Sequence, residues 1–254
     1  MPSFRRLRRY DYFSTEKVEL TNKINQFKQD CFGTTDITLH LNDILRGKGD
    51  FKNFSNAQRK KFFEKLPDFL SKINCKIISV TIDKQKLKTY FDPSKDPYVV
   101  AFTDLLQNYY SFISKNNVSS ARIVLESRDD ASNLIIQKAF FDVFNNGTTH
   151  LNISQELRDK TNGFIIAKKG DETYKSGLEI ADILCNPISR VRRGLIELNP
   201  KKIGPYGKEN KVFSAIKDKI YTGTGYDDIR NWGFKKVPTV KRKKIWCDNP
   251  KTID

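Results

Sequence analysis

Gly163–Gly194 reads GFIIAKKGDETYKSGLEIADILCNPISRVRRG. It has three parts. Residues 163–168 form a short apolar run, the length of a buried strand. Lys168, Lys169, Gly170, Asp171, Glu172 and Lys175 make a polar loop. From Ser176 an amphipathic helix follows, opening on Ser176-Gly-Leu-Glu179, the pattern of a capping box. Leu178, Ala181, Cys185 and Ile188 recur at helical spacing, so one face of that helix is buried. Glu179 and Asp182 are three residues apart and share another part of its surface. Carboxylates among Leu178, Ile180, Ala181, Ile183 and Leu184 imply a polar cleft beside an apolar core.

Working outward, helix and strand patterns alternate from residue 15 to 194. Leu20, Ile24, Phe27 and Cys31 predict a helix closed by Gly33. Ile37–Leu41 alternates apolar and polar, a strand pattern. Ser55-Asn-Ala-Gln58 is a second capping box, opening a helix to about Ile73 with Phe62, Phe63, Leu66, Phe69, Leu70 and Ile73 on its apolar face and Pro67 as a kink point. Cys75–Asp83 predicts a central strand. Asp96-Pro97 predicts an N-cap and first position of a long helix. Ala121–Glu126 predicts a strand ending on a carboxylate. Asp129 or Asp130 then caps a helix that stops at Asn145-Asn-Gly147. Residues 148–160 are polar, with room for one short edge strand. The alternation predicts an α/β fold, a central sheet flanked by helices.

The 254 residues carry a formal net charge of +16. From Arg190 to Asp254 there are 17 Lys or Arg against 7 Asp or Glu, and Arg5, Arg6, Arg8 and Arg9 add to the other end. This organisation predicts a basic arm over 1–14, an α/β domain over 15–194 and a basic, aromatic-rich extension over 195–254. A polyanion is the expected partner, DNA or RNA before any membrane. In the extension Trp232 and Trp246 are interleaved with Lys235, Lys236, Lys241, Arg242, Lys243 and Lys244, and Arg190 and Arg193 precede it. Aromatics that stack on bases beside cations that meet phosphate suit nucleic acid; the same aromatics could instead anchor the extension to the main domain. No apolar run reaches the roughly 18 residues of a membrane span. The N-terminus has no secretory pattern. Cys31, Cys75, Cys185 and Cys247 are widely spaced, as expected of reduced thiols in a cytoplasmic protein.

Three acids fall where α/β folds place chemistry. Asp83 and Glu126 end strands, and Asp182, with Glu179 beside it, lies in the first turns of the last helix. Carboxylates gathered from separate elements repel one another unless a cation lies between them, and hard oxygen ligands suit Mg²⁺ or Mn²⁺. Two such ions about 4 Å apart can activate water and stabilise a leaving oxygen in phosphodiester cleavage. Each acid also has a structural reading: Asp83 as a cap of the next helix, Glu179 as the capping-box acid. His40 reads as a packed or surface histidine more readily than as a base.

The order ITLHLNDI, KIISVTIDK, DPYVVAFTDLL, IVLESR and SGLEIADILCNPISR resembles domain-of-unknown-function family 3800, over about residues 15 to 194. Ser176–Arg190 carries the most specific part of the likeness. The resemblance implies a ribonuclease-H-like fold and a metal-dependent nuclease, of a kind often set in mobile elements or phage defence. It gives Asp182 the place of the final-helix acid and Glu126 that of the acid after the later strand. The family's opening strand, of Asp-Glu-Ser-Gly type, has no counterpart before Thr15, and Glu179 stands where the family tends to have glutamine. Two further expectations follow. One is a protein partner or oligomer that completes the sheet. The other is a nucleic-acid-binding subunit without catalysis. A scaffold meeting an acidic protein surface ranks behind these, and a glycosidase last, because nothing offers an aromatic sugar cleft.

Overall fold

A computed structural model describes residues 7–90, 96–116, 118–198, 209–223 and 229–238, with side chains from Glu16 onward except at 88 and 90. Its helices are α1 (Leu7–Phe32), α2 (Leu41–Arg46), α3 (Asn56–Ser71), α4 (Lys84–Tyr90), α5 (Pro97–Lys115), α6 (Asp130–Asn146), α7 (Gln155–Lys160), α8 (Lys175–Arg192) and α9 (Lys211–Ile216). The strands are β1 (Ser79–Ile82), β2 (Ala121–Glu126), β3 (Thr161–Ala167) and β4 (Phe234–Val237). The α/β class is as expected.

Local chemistry sets many of these boundaries. Asp96 accepts from Tyr98 N and Val99 N, and Pro97 opens α5. Ser55 and Gln58 satisfy each other's backbone N–H at the start of α3, a complete capping box, and α3 runs on through Pro67. Asp129 caps α6, and Gly147, at φ 72°, follows its end with its N–H bonded to Val143 O. Residues 148–160, read as polar with an edge strand, contain the short helix α7 capped by Ser154.

Among the described residues the strands form two separate parallel pairs. β1 pairs with β4, Ser79 opposite Phe234 through Ile82 opposite Val237. β2 pairs with β3, with a register shift between Ala121 and Ile123. The C-terminal part of the chain therefore supplies a strand, and α9 packs on α3. The described residues build two apolar clusters. One joins α1, α3, α8 and α9 through Ile24, Phe62, Leu66, Ile183 and Val212. The other joins α5, α6, α7 and β2 through Phe102, Tyr110, Ile123, Phe140 and Leu157. No described helix is long and apolar enough to cross a membrane.

Two expectations are corrected. Residues 37–41 alternate in burial as a strand would, with Ile37, Leu39 and Leu41 inside, yet they join no ladder. The Ser176–Glu179 capping box does not form: α8 starts at Lys175 after Tyr174, which makes no side-chain cap. Ser176 Oγ instead lies 2.9 Å from Thr21 Oγ1 of α1, which frees Glu179 for a distant partner.

Candidate active site

These two corrections have one cause. The backbone N–H groups of Thr38, Leu39 and Leu41 are satisfied by side-chain carboxylates in place of a neighbouring strand. Leu39 N donates to Glu179 Oε1 at 2.8 Å and Leu41 N to Asp182 Oδ2 at 2.8 Å. Thr38 N donates to Asp50 Oδ2 at 2.8 Å. Glu179 and Asp182, one helical turn apart on α8, thus meet alternate residues of an extended segment. The three-residue spacing of the acids matches the two-residue period of the strand pattern.

Glu179 is 2 % exposed and pairs with Lys28 of α1, equally buried, at 2.8 Å. Lys28 Nζ also donates to Ile37 O. Burial raises the Glu179 carboxyl above the ordinary carboxylate range against the opposing pull of Lys28, and burial lowers the Lys28 ammonium. The second oxygen, Oε2, is buried with no hydrogen-bond partner. Asp182 is half-buried, and its Oδ1 lies 3.5 Å from His40 Nε2. The other ring nitrogen, Nδ1, lies 2.9 Å from Asp43 Oδ2, close but not aligned for a hydrogen bond. His40 is therefore held between two carboxylates. Neither Asp43 nor Lys28 stood out in the sequence; the signal for His40 was its place on an alternating segment that ends at a helix start.

Glu126, exposed at the end of β2, reaches the same place. Thr38, His40, Glu126, Lys169, Glu179 and Asp182 all line one crevice of about 10 Å³, room for a single water-sized sphere. Three of the four predicted acids are thus brought together. Asp83 is not among them: it receives the Lys86 N–H and lies 3.4 Å from Lys236, and these donors hold its carboxyl low against the opposing cost of burial.

Among the described residues no group of three or more His, Cys, Asp and Glu is gathered as a metal-ion site. The donors do suit a hard cation held more loosely. Mg²⁺ keeps several waters and needs only one or two carboxylates. Glu126 and Glu179, which both line the crevice, are that number, while Asp182 is engaged by Leu41 and His40.

The predicted nucleic-acid contacts are distributed otherwise. Lys235 pairs with Asp104 at 2.7 Å. Trp232 packs against Tyr221, and its indole ring lies beneath Lys115 Nζ. Arg190 Nε donates to Ile196 O at 2.6 Å and Arg193 Nε to Ser189 O at 3.3 Å. Lys241, Arg242, Lys243, Lys244 and Trp246 lie outside the described residues. Compared with protein-family models, curated proteins and solved structures, the chain matches none.

Proposed function

We propose that the chain is a divalent-metal-dependent nuclease built on a ribonuclease-H-like sheet, acting on DNA or RNA, with Mg²⁺ or Mn²⁺ held at the crevice between β2 and α8. The observation that carries this reading is the crevice of about 10 Å³ lined together by Glu126, Glu179 and Asp182, with one Glu179 oxygen, Oε2, buried and without a hydrogen-bond partner. An orphaned carboxylate oxygen in a dry site is costly unless something cationic meets it. When bound, the ion would supply Lewis-acid stabilisation of the leaving oxygen and a deprotonated water. In this reading Glu179 and Glu126 hold the ion, Asp182 fixes the Leu41 backbone and orients His40, and His40 is placed to move a proton. The net charge of +16 favours a polyanionic substrate.

The test is calorimetric titration of Mn²⁺ into the wild-type chain and into Glu126→Ala, with cleavage of single-stranded DNA, duplex DNA and RNA assayed in parallel. Binding and Mn²⁺-dependent cleavage, both lost in Glu126→Ala, support the reading. Unchanged cleavage in Glu126→Ala and Asp182→Ala, or none in the wild type, ends it. A second reading, a nucleic-acid-binding subunit without catalysis, is favoured by the lack of a three-ligand group among the described residues. It predicts an affinity whose logarithm falls linearly with log salt and needs no divalent ion.

A further inference from the structure

The two strand pairs do not touch each other through a ladder, and the space between them is a cavity of about 610 Å³. Ile78, Val80 and Thr81 line it from β1 and its approach; Leu125 and Glu126 line it from β2. Ala101, Phe102 and Leu105 of α5 and Ile180, Ala181, Leu184 and Cys185 of α8 complete its walls. Apolar residues of enclosed parallel strands are normally fully buried. Here Ile78, Val80 and Leu125 are only half-buried because they open on this space.

The backbone completes the picture. Ser79 N donates to Gly233 O and Asp83 N to Val237 O, each at 2.8 Å. Alternate residues of a strand bond to opposite sides, so the N–H and C=O groups of Ile78, Val80 and Ile82 point away from β4. Ser127 N donates to Ala167 O at 2.7 Å, so those of Val124 and Glu126 point away from β3. Among the described residues these groups meet no ladder partner, so two open edges lie beside one apolar cavity lined by helices. Buried backbone polar groups are paired in nearly all native structures. A small apolar ligand would fill the volume and leave these groups unmet. An extended polypeptide meets both requirements.

On α8, Gly177, Ala181 and Cys185 form the stripe that faces the cavity. A Cβ added at Gly177 would meet nothing within 4 Å. Beside the larger Ile180 and Leu184, this stripe of small residues lies over a space that nothing described fills. Outside the described residues, the sequence at 1–6, 91–95, 117, 199–208, 224–228 and 239–254 contains no apolar run longer than the three residues Ile245-Trp246-Cys247, short of the five or so that a slot with both faces apolar calls for.

We infer that this cavity is a slot for a β-strand from another protein, apolar on both faces and about five residues long, which joins the two parallel pairs into one continuous sheet. Main-chain hydrogen bonds to both edges supply affinity, and the apolar walls select the side chains.

Hydrogen exchange on the full chain tests this. The probe is an acetyl-Lys-Val-Ile-Val-Ile-Val-Lys amide heptapeptide, used beside the same peptide N-methylated at alternate residues. In the free chain the amides of Ile78, Val80, Ile82 and Val124 exchange fast, while those of Ser79 and Leu125 are protected. The unmodified peptide binds and protects the first set. The N-methylated peptide binds more weakly by about tenfold or more, since half of its N–H donors are lost and the methyl groups crowd one edge. Ala181→Phe fills the slot and abolishes peptide binding while the free chain stays folded. Slow exchange of the first set in the free chain overturns the proposal, because the edges would already be paired. So does failure of the peptide to bind, and so does equal binding of the N-methylated peptide, which would make the cavity a pocket for apolar ligands.

Discussion

Replacing Lys28 and Glu179, singly and together, gives a stability test with opposite signs at the two partners. Both side chains are 2 % exposed. Removing one partner of a buried ion pair leaves an uncompensated charge and costs about 3–5 kcal/mol, whereas removing both is far milder. The surface pair Lys23–Glu19, at 38 % and 60 % exposure, is worth about 0–1 kcal/mol by comparison. Lys28→Met should therefore cost about 3–5 kcal/mol at neutral pH, and Glu179→Gln a similar amount. The glutamine still accepts from Leu39 N, so the double variant loses mainly the Lys28 donation to Ile37 O, about 1 kcal/mol. The pH dependence separates the singles. In Lys28→Met the lone Glu179, already raised by burial, keeps its proton when the unfolded chain has lost its own. Stability then falls as pH rises above the ordinary carboxylate value, by up to about 1.4 kcal/mol per unit. In Glu179→Gln the lone Lys28, already lowered by burial, sheds its proton before the unfolded chain does. Stability then rises with pH toward the ordinary lysine value. Urea unfolding followed by circular dichroism at pH 5, 7 and 9 measures all four chains. Singles that each cost under about 1 kcal/mol, or that share one sign of pH slope, would refute the buried pair as the tie between α1 and α8.

Glu126→Ala should leave stability within about 0.5 kcal/mol, since the residue is exposed at a strand end, and should abolish Mn²⁺-dependent cleavage; a melting curve beside a nuclease assay checks both. Gly177→Ala should stabilise the free chain by up to about 0.5–1 kcal/mol, because a glycine in the first turn of α8 becomes alanine with nothing within 4 Å of its Cβ; a loss measured by urea titration would mean the cavity is already occupied. Glu197→Gln should cost about 1–3 kcal/mol, read by urea unfolding: the 0 % exposed carboxylate accepts Val212 N on Oε1 and Phe213 N on Oε2 at 2.7 Å each, and the amide turns one of these two acceptors into an NH2 donor facing an N–H.

Elements whose ends carry their own chemistry were legible in the sequence. Asp96-Pro97, Ser55 with Gln58, and Asp129 cap the helices that the structure starts there. β2 falls on Ala121–Glu126, where its apolar run and terminal acid put it. What failed were readings that assumed a local partner for a group whose partner is remote. Residues 37–41 carry a strand's alternation because one side faces a core, but the groups that bond Leu39 and Leu41 lie 140 and 141 residues away. Ser176 and Glu179 have capping-box spacing, yet each is used by a different segment. Lys28 looks like any solvated lysine on a helix until Glu179 is placed beside it. Phe234–Val237 holds two lysines and suggested a surface for phosphate; the lysines meet Asp104 and Asp83, and the backbone is a strand. In the candidate site, Glu126, Glu179 and Asp182 were each legible as acids at strand ends and helix starts. Their convergence on the 38–41 segment was not.

The crevice and the strand slot are neighbours with shared walls. Glu126 lines both, and α8 serves the crevice through Glu179 and Asp182 and the slot through Gly177, Ala181 and Cys185. A strand seated along β2 would bring its backbone beside Glu126, narrow the crevice mouth and exclude water from it. Exclusion of water strengthens the attraction between a carboxylate and a cation. Mn²⁺ should therefore bind more tightly to the peptide-loaded chain than to the free one, and the peptide should bind more tightly in Mn²⁺ by the same factor, since coupling between two sites is reciprocal. Paired calorimetric titrations measure both factors. Equal affinities in both orders would make the slot and the crevice independent sites. A matched increase would mean that the free chain is an incomplete enzyme whose metal site matures when a partner completes the sheet.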